Sequence, residues 1–454
     1  MKLDAAAAKP PTPATSSRYR IWLLVLLILI NTSNFLDRSV LGVLAPAIKR
    51  DLGISDTQIG MLGGLVFALF YTAFGIPIAR VAERHSRVLL MTVAVALWSG
   101  MTALCGLAQN FVQLALARAG VGIGEAACGP SSQSLISDHF PARQRGTALA
   151  IFSLGIPIGS LIGAVAGGWI AQNLSWRTAF ALMGLPGLIL AALVLTTLKE
   201  PIRGHSDRKP TSGEVPPLLA VLKTLWSKPA AVWVVAGATV STGATYGILT
   251  FAATFFVRRF GLDYAQAGLV AGLVGALPMM VSNLGGGILA DVIARKDLRG
   301  YAWASMIGLI IAAPLFVLGF MQSTLTGAVV LLTLASVFQQ SYLAPTYAVA
   351  NNAVEPRMRA TSVAVFQFTW NLIGLGLGPM VVGVMSDKFA AKLAQSSTAD
   401  LLGICRSTAG AGCADASAAG IAYALMVIVL CYGLGAAAYF MSSRTMRRDL
   451  VEPI

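Results

Sequence analysis

Apolar stretches long enough to be membrane spans recur twelve times along this chain, separated by short clusters of lysine and arginine. A helix needs roughly 20 apolar residues to cross the hydrocarbon core of a bilayer. The stretches near 20–47, 57–80, 88–108, 111–137, 145–171, 177–198, 230–257, 264–293, 300–321, 325–352, 360–386 and 419–442 all meet that requirement. Only 11% of residues are charged and 56% are hydrophobic, against roughly 25% charged in soluble domains. Such a chain cannot clothe a water-facing surface, and the expected fold is an all-α membrane protein of twelve transmembrane helices.

The polar segment KEPIRGHSDRKPTSGEVPPLLAVLKTLWSKP divides the spans into two sets of six. The expected organisation is a disordered cytoplasmic tail at 1–19, one half at 20–198, a cytoplasmic linker at 199–229, a second half at 230–442 and a tail at 443–454. The first apolar run is too long for a signal peptide, and Asp37-Arg38 stand where a small-residue cleavage site would be needed. Within the linker, VPPLLAVLKTLWSK reads as a short interfacial helix.

The net charge of +14 does not point to nucleic acid, because the basic residues lie between apolar runs. Cytoplasmic loops collect lysine and arginine. Placing the N-terminus in the cytoplasm puts Arg84, Arg87, Arg143, Arg145, the linker, Arg295, Lys296, Arg299, Arg357, Arg359, Arg444, Arg447 and Arg448 on that side. Fewer basic residues fall outside: Lys49, Arg50, Arg177, Arg258, Arg259, Lys388, Lys392 and Arg406. Both termini are therefore expected in the cytoplasm, with membrane lipids as neighbours. The loop at 388–418 then lies outside, where Cys405 and Cys413 either form a disulfide closing a small loop or remain two thiols.

Enzyme chemistry finds no foothold. There is no HExxH, CxxC, GxSxG or Walker A pattern, and no metal or cofactor is expected. GIGEAA resembles part of a dinucleotide turn but sits inside a helix-length apolar run, without the strand and distal acid that such a turn needs.

The loops after the second and eighth spans read ARVAERHSR and GGILADVIARK. Each sets an acid near a helix end with basic residues after it: Glu83 with Arg84 and Arg87, and Asp291 with Arg295 and Lys296. The pair resembles the loop signature G-x-x-x-D-R-x-G-R-[RK] of the major facilitator superfamily. Ala79, Glu83 and Ser86 depart from it in the first copy, and Val292 and Ala294 in the second. The resemblance covers nearly the whole chain and implies two six-helix halves, with these residues gating the cytoplasmic side. Gly155, Gly159, Gly163 and Gly167 form one small-residue face, and Gly374 and Gly378, before Pro379, hold the corresponding place in the second half. Such faces let helices approach closely.

Four ionisable residues fall at membrane depth: Asp37, Arg38, Arg118 and Glu125. Each costs at least ~2.5 kcal/mol there and normally faces a cavity and pairs. Arg118 and Glu125 share one helix face about 10 Å apart, and Asp37 and Arg38 lie between their levels on the first helix, so a four-residue network is geometrically possible. Asp37 and Arg38 are about 100° apart and cannot both point squarely at one partner. NFLDRSVLGVL, RAGVGIGEAA and DHFPARQRGTALAIF resemble the spinster branch of the superfamily, with Phe35 where that branch often has tyrosine.

The branch is associated with export of lysophospholipids and sphingosine-1-phosphate, and its bacterial members with proton coupling. The resemblance implies Asp37 and Glu125 as proton-coupling acids, and Arg38 and Arg118 as ligands of an anionic head group or tuners of those acids. In the second half the candidate polar lining is Thr245, Tyr246, Asn283, Gln339, Gln340, Tyr342, Gln367, Trp370 and Asn371. The expectation is a monomeric, proton-coupled, alternating-access carrier of an amphipathic anion such as a lysolipid, in a bacterial inner membrane. A proton-driven carrier of small organic anions or drugs is the alternative. A sensor or receptor would need a larger soluble domain than this linker offers.

Overall fold

The computed structural model describes residues 16–201, 216–396 and 411–450. Among the described residues, twelve helices are long and apolar enough to cross a membrane. In the first half these are α1 (Ser17–Leu52), α2 (Asp56–Ala82), α3 (Arg87–Cys105), α4 (Phe111–His139), α5 (Gln144–Asn173) and α6 (Trp176–Thr197). In the second they are α7 (Pro229–Phe260), α8 (Tyr264–Ala294), α9 (Gly300–Met321), α10 (Leu325–Asn352), α11 (Thr361–Ala394) and α12 (Cys413–Asp449). Every apolar stretch of the sequence is one of them. Most helices overrun the apolar stretches, furthest at α1 and α12, because a capped polar turn continues the hydrogen-bond ladder beyond the apolar core; α3 instead stops at Cys105, short of the 88–108 stretch. The linker stretch forms a helix at Leu218–Trp226.

The repeat between the halves is visible in their turns. α1 ends at Gly53 (φ 63°) and α7 at Gly261 (φ 65°), both left-handed stops that favour glycine. A capping box then opens the next helix in each half, Ser55 with Gln58 before α2 and Asp263 with Gln266 before α8.

Close packing follows the glycines. A Cβ on Gly159 would strike the backbone of Thr32, and one on Gly163 would lie 2.6 Å from Leu36 O, so α5 is pressed onto α1. In the second half Gly374 and Gly378 bring α11 against Thr239 and Gly243 of α7 in the same way.

Several spans are not continuous. α4 consists of Phe111–Glu125 and Cys128–His139, and α10 of Leu325–Gln339 and Leu343–Asn352. α11 carries a π-helical turn at Trp370–Leu375. The run ALARAGVGIGEAACG thus holds the end of one helical segment and the start of the next, with Glu125 as the last residue before the break.

The face carrying Ser16 and Leu450 is called the terminal face here, and the opposite one the distal face. The described hydrogen bonds between the halves lie at the distal ends of the helices. Asp387, at the end of α11, accepts from Asp56 N (3.1 Å), Thr57 N (2.8 Å) and Thr57 Oγ1 (2.7 Å) at the start of α2. Arg258 donates to both oxygens of Asp56 (2.6 and 2.7 Å), and Ser386 Oγ donates to the same carboxylate (2.6 Å). Tyr264 N donates to Gln172 Oε1 (3.1 Å). Lys49 of α1 donates to Asp56 as well (2.7 Å), so the distal face is closed by a latch that unites α1, α2, α7 and α11.

Candidate functional site

The four membrane-depth charges converge inside the first half. Arg38 Nε donates to Glu125 Oε2 at 2.7 Å. Its guanidinium lies over the rings of Phe67 (4.8 Å), Phe35 (5.1 Å) and Tyr71 (5.1 Å). Arg118 approaches the same Phe67 ring at 5.3 Å. Phe67 and Tyr71 are one helical turn apart on α2 and stack with centroids 5.5 Å apart, so α2 presents an aromatic shelf to both arginines. A guanidinium over an aromatic face is attracted by the ring quadrupole and keeps its edge donors free for other partners.

Asp37 faces elsewhere. Asp37 is wholly buried. It lies beside Thr102 of α3, Arg118 and Glu125. Arg118 and Glu125 are likewise buried. The 100° between consecutive helical residues separates the two roles: Arg38 looks toward the cleft between the halves and Asp37 into the interior of its own half.

Across the cleft, Tyr246 lines a small cavity with Arg38, Arg118, Phe67 and Thr250. Trp370 meets Tyr347 edge-on at 5.3 Å, and Gln367 Nε2 donates to Tyr347 Oη at 2.9 Å. Asn371 follows in the π turn and is half-buried, as is Asn283, whose Oδ1 is buried without a partner. Other candidates are tied up inside the second half. Tyr342 is buried with its hydroxyl 3.0 Å from Thr242 Oγ1, Gln339 is buried, and Thr245 meets Tyr432 Oη at 3.1 Å. Gln340 bonds to Ser282 and Met279.

On the terminal face Arg87 donates to Asp138 (2.5 Å), Ser134 (2.6 Å) and Glu200 (2.8 Å), which ties α3 to α4 and to the linker within one half. Asp291 is exposed near Tyr301. The side chains of Glu83 and Arg84 lie outside the described residues, as does Cys405; Cys413 is disulfide-bonded. The sequence reading missed Phe67, Tyr71 and Tyr347, although an aromatic pair at i, i+4 on a cavity-lining span was a usable signal. It also missed the distal latch, whose members are far apart in the chain and look like ordinary loop charges.

Comparison with known proteins identifies the family and the fold. The family profile of the Major Facilitator Superfamily matches residues 27–379. An "MFS-type efflux pump" of Mycolicibacterium smegmatis is 35% identical over 95% of both chains. A "Hexuronate transporter" of Bacillus subtilis is 26% identical, covering 82% of this chain and 89% of its own. A crystal structure of a bacterial homologue of the human lysosomal transporter Spinster, inward-facing and unoccupied, superposes with a TM-score of 0.85 at 31% identity, over 97% of this chain and 100% of that one. The chain therefore belongs to the major facilitator superfamily and is a spinster-like transporter within it.

Proposed function

We propose that the protein is a proton-coupled, alternating-access carrier of an amphipathic anion such as a lysophospholipid or sphingolipid. The observation that carries this reading is the buried Arg38–Glu125 pair on the Phe67–Tyr71 shelf, at the cleft between the halves. An ionised Glu125 occupies Arg38. A proton on Glu125 weakens that bond and frees the guanidinium for a phosphate or carboxylate, so proton and anion load together. Asp37 and Arg118 form a second acid–base set beside the first and share its titration. Tyr246, Trp370 and Tyr347 supply apolar and aromatic surface for a tail. The proton is the only coupling ion needed, and one copy of the chain suffices.

The distribution of basic residues supports a cytoplasmic terminal face in a bacterial inner membrane. With the distal latch shut, the cavity then faces inward, and transport proceeds by exchanging this closure for one on the other side. A second reading, a proton-driven carrier of small organic anions or drugs, is favoured by the efflux pump and hexuronate transporter among the relatives.

The test is flux of a labelled lysolipid in proteoliposomes under an imposed pH gradient, for wild type and Glu125→Gln. Gradient-driven flux in wild type that the variant loses supports the proposal. Equal, pH-independent flux in both sinks the coupling claim. No lysolipid flux, with gradient-driven flux of a labelled aromatic acid or hexuronate, transfers support to the second reading.

A further inference from the structure

The linker helix Leu218–Trp226 has a surface that a water-facing helix would not carry. Val221 and Leu225 are buried against the start of α7 and the Arg359–Thr369 segment that opens α11. Leu218 (52% exposed), Leu219 (76%), Leu222 (37%) and Trp226 (80%) are not covered. At 100° per residue these four side chains fall within an arc of about 100°, directly beside the buried arc. The apolar surface therefore runs unbroken from the side seated on the protein to the side left open.

Two features identify what covers the open side. The first is continuity with the lipid-facing surface. The helix leads directly into α7 at Pro229, and Trp233, about 6 Å further along α7, is itself 40% exposed. Two exposed tryptophans at the end of a membrane span are what a bilayer interface selects, since the indole has an apolar body and one polar N–H. The second is charge. Lys223 is exposed at the edge of the apolar arc, and Lys228 lies just past the helix end. Neither takes part in an ion pair among the described residues. A lysine beside an inserted apolar face lays its stem along that face and lifts its ammonium to the level of lipid phosphates.

We infer that this helix is a binding surface for the lipid leaflet at the terminal face: the four apolar side chains enter the acyl boundary, and Lys223 and Lys228 select anionic head groups. The inference does not depend on what is carried or on the coupling ion. It has a mechanical consequence. The helix rests on the first segment of α11, the helix that bears Trp370 at mid-depth and Ser386 and Asp387 at the distal latch. The leaflet thus holds one end of the element that the latch grips at the other.

The test uses the full chain in vesicles. Subtracting the emission of Trp226→Phe from that of wild type isolates Trp226. Its emission is expected to be quenched at least twofold more by phospholipid brominated near the head group than by lipid brominated deep in the chain, and to resist aqueous iodide. Free quenching by iodide, with no response to brominated lipid, would overturn the inference. Protection from both quenchers would mean that protein covers the helix, and would overturn it equally. For the head-group preference, brominated phosphatidylglycerol in phosphatidylcholine is compared with the reverse labelling. A quenching ratio of at least two in wild type is expected, falling toward one in Lys223→Gln/Lys228→Gln; a ratio of one in wild type refutes the selectivity.

Discussion

Asp56 offers the sharpest test of how the two halves are held. Its carboxylate is 2% exposed and accepts from Lys49 Nζ at 2.7 Å, from Arg258 at 2.6 and 2.7 Å, and from Ser386 Oγ at 2.6 Å. Arg258 and Ser386 belong to the other half, so these bonds exist only while the distal face is shut. Asp56→Asn keeps the shape and removes the charge. Removing one partner of a buried pair costs ~3–5 kcal/mol. The lower end applies, because Lys49 stays beside residue 56 in any state and the Arg258 side chain keeps 13% of its exposure. A loss of ~3 kcal/mol changes the equilibrium roughly 150-fold, at 1.4 kcal/mol per tenfold. A distal face closed ~99% of the time would then be closed about 40% of the time. Spin labels at the exposed distal positions Leu107 and Met321, one in each half, read this as a new, longer distance population. The reasoning fails if that population does not appear. It also fails if Asp56→Asn and Arg258→Gln shift the distribution additively, since residues sharing one bond must show coupling.

Other consequences are simpler to check. Gly163→Ala places a methyl against Leu36 O and Ser39, and should lower the thermal midpoint by the equivalent of ~1–3 kcal/mol. Gly100→Ala, with open space around it, should not. Arg38→Lys keeps the charge but loses the planar stack over Phe67 and Tyr71, and should reduce gradient-driven flux at least tenfold. Burial pushes the Glu200 carboxyl up, but hydrogen bonds from Val88 N, Arg87 and Ser86 outweigh it and hold it below the usual range. Such an acid contributes stability that is present above its unfolded value and lost as pH falls through its folded one. Thermal melts should therefore show wild type losing more stability than Glu200→Gln on acidification below roughly pH 4.

The membrane dictates a great deal from composition alone. A backbone in hydrocarbon must satisfy its own hydrogen bonds, so each long apolar run had to be a helix, and all twelve are. The charges at Asp37, Arg38, Arg118 and Glu125 were legible for the same reason: a charge at that depth is too costly to be incidental. The small-residue stripe at Gly155–Gly167 also announced a close helix contact, though not which helix would fill it.

Sequence spacing could not decide the partners. Whether Arg38 or Asp37 meets Glu125 depends on the rotation of α1 against α4, and the seating of α5 on Thr32 and Leu36 of α1 through Gly159 and Gly163 helps to fix it. The break after Glu125 and the π turn at Trp370 were hidden too, because a small-residue run reads as helix either way and only neighbouring backbones decide where it yields. The distal latch joins Asp56, Arg258 and Asp387, residues more than a hundred positions apart that have no local pattern in common. What could be read segment by segment was the number of helices, their positions along the chain and the charges too costly to be there by accident, since the bilayer acts on each segment separately. Tertiary structure alone decided which charges pair and which face is closed, since those depend on distances between segments that no local pattern encodes.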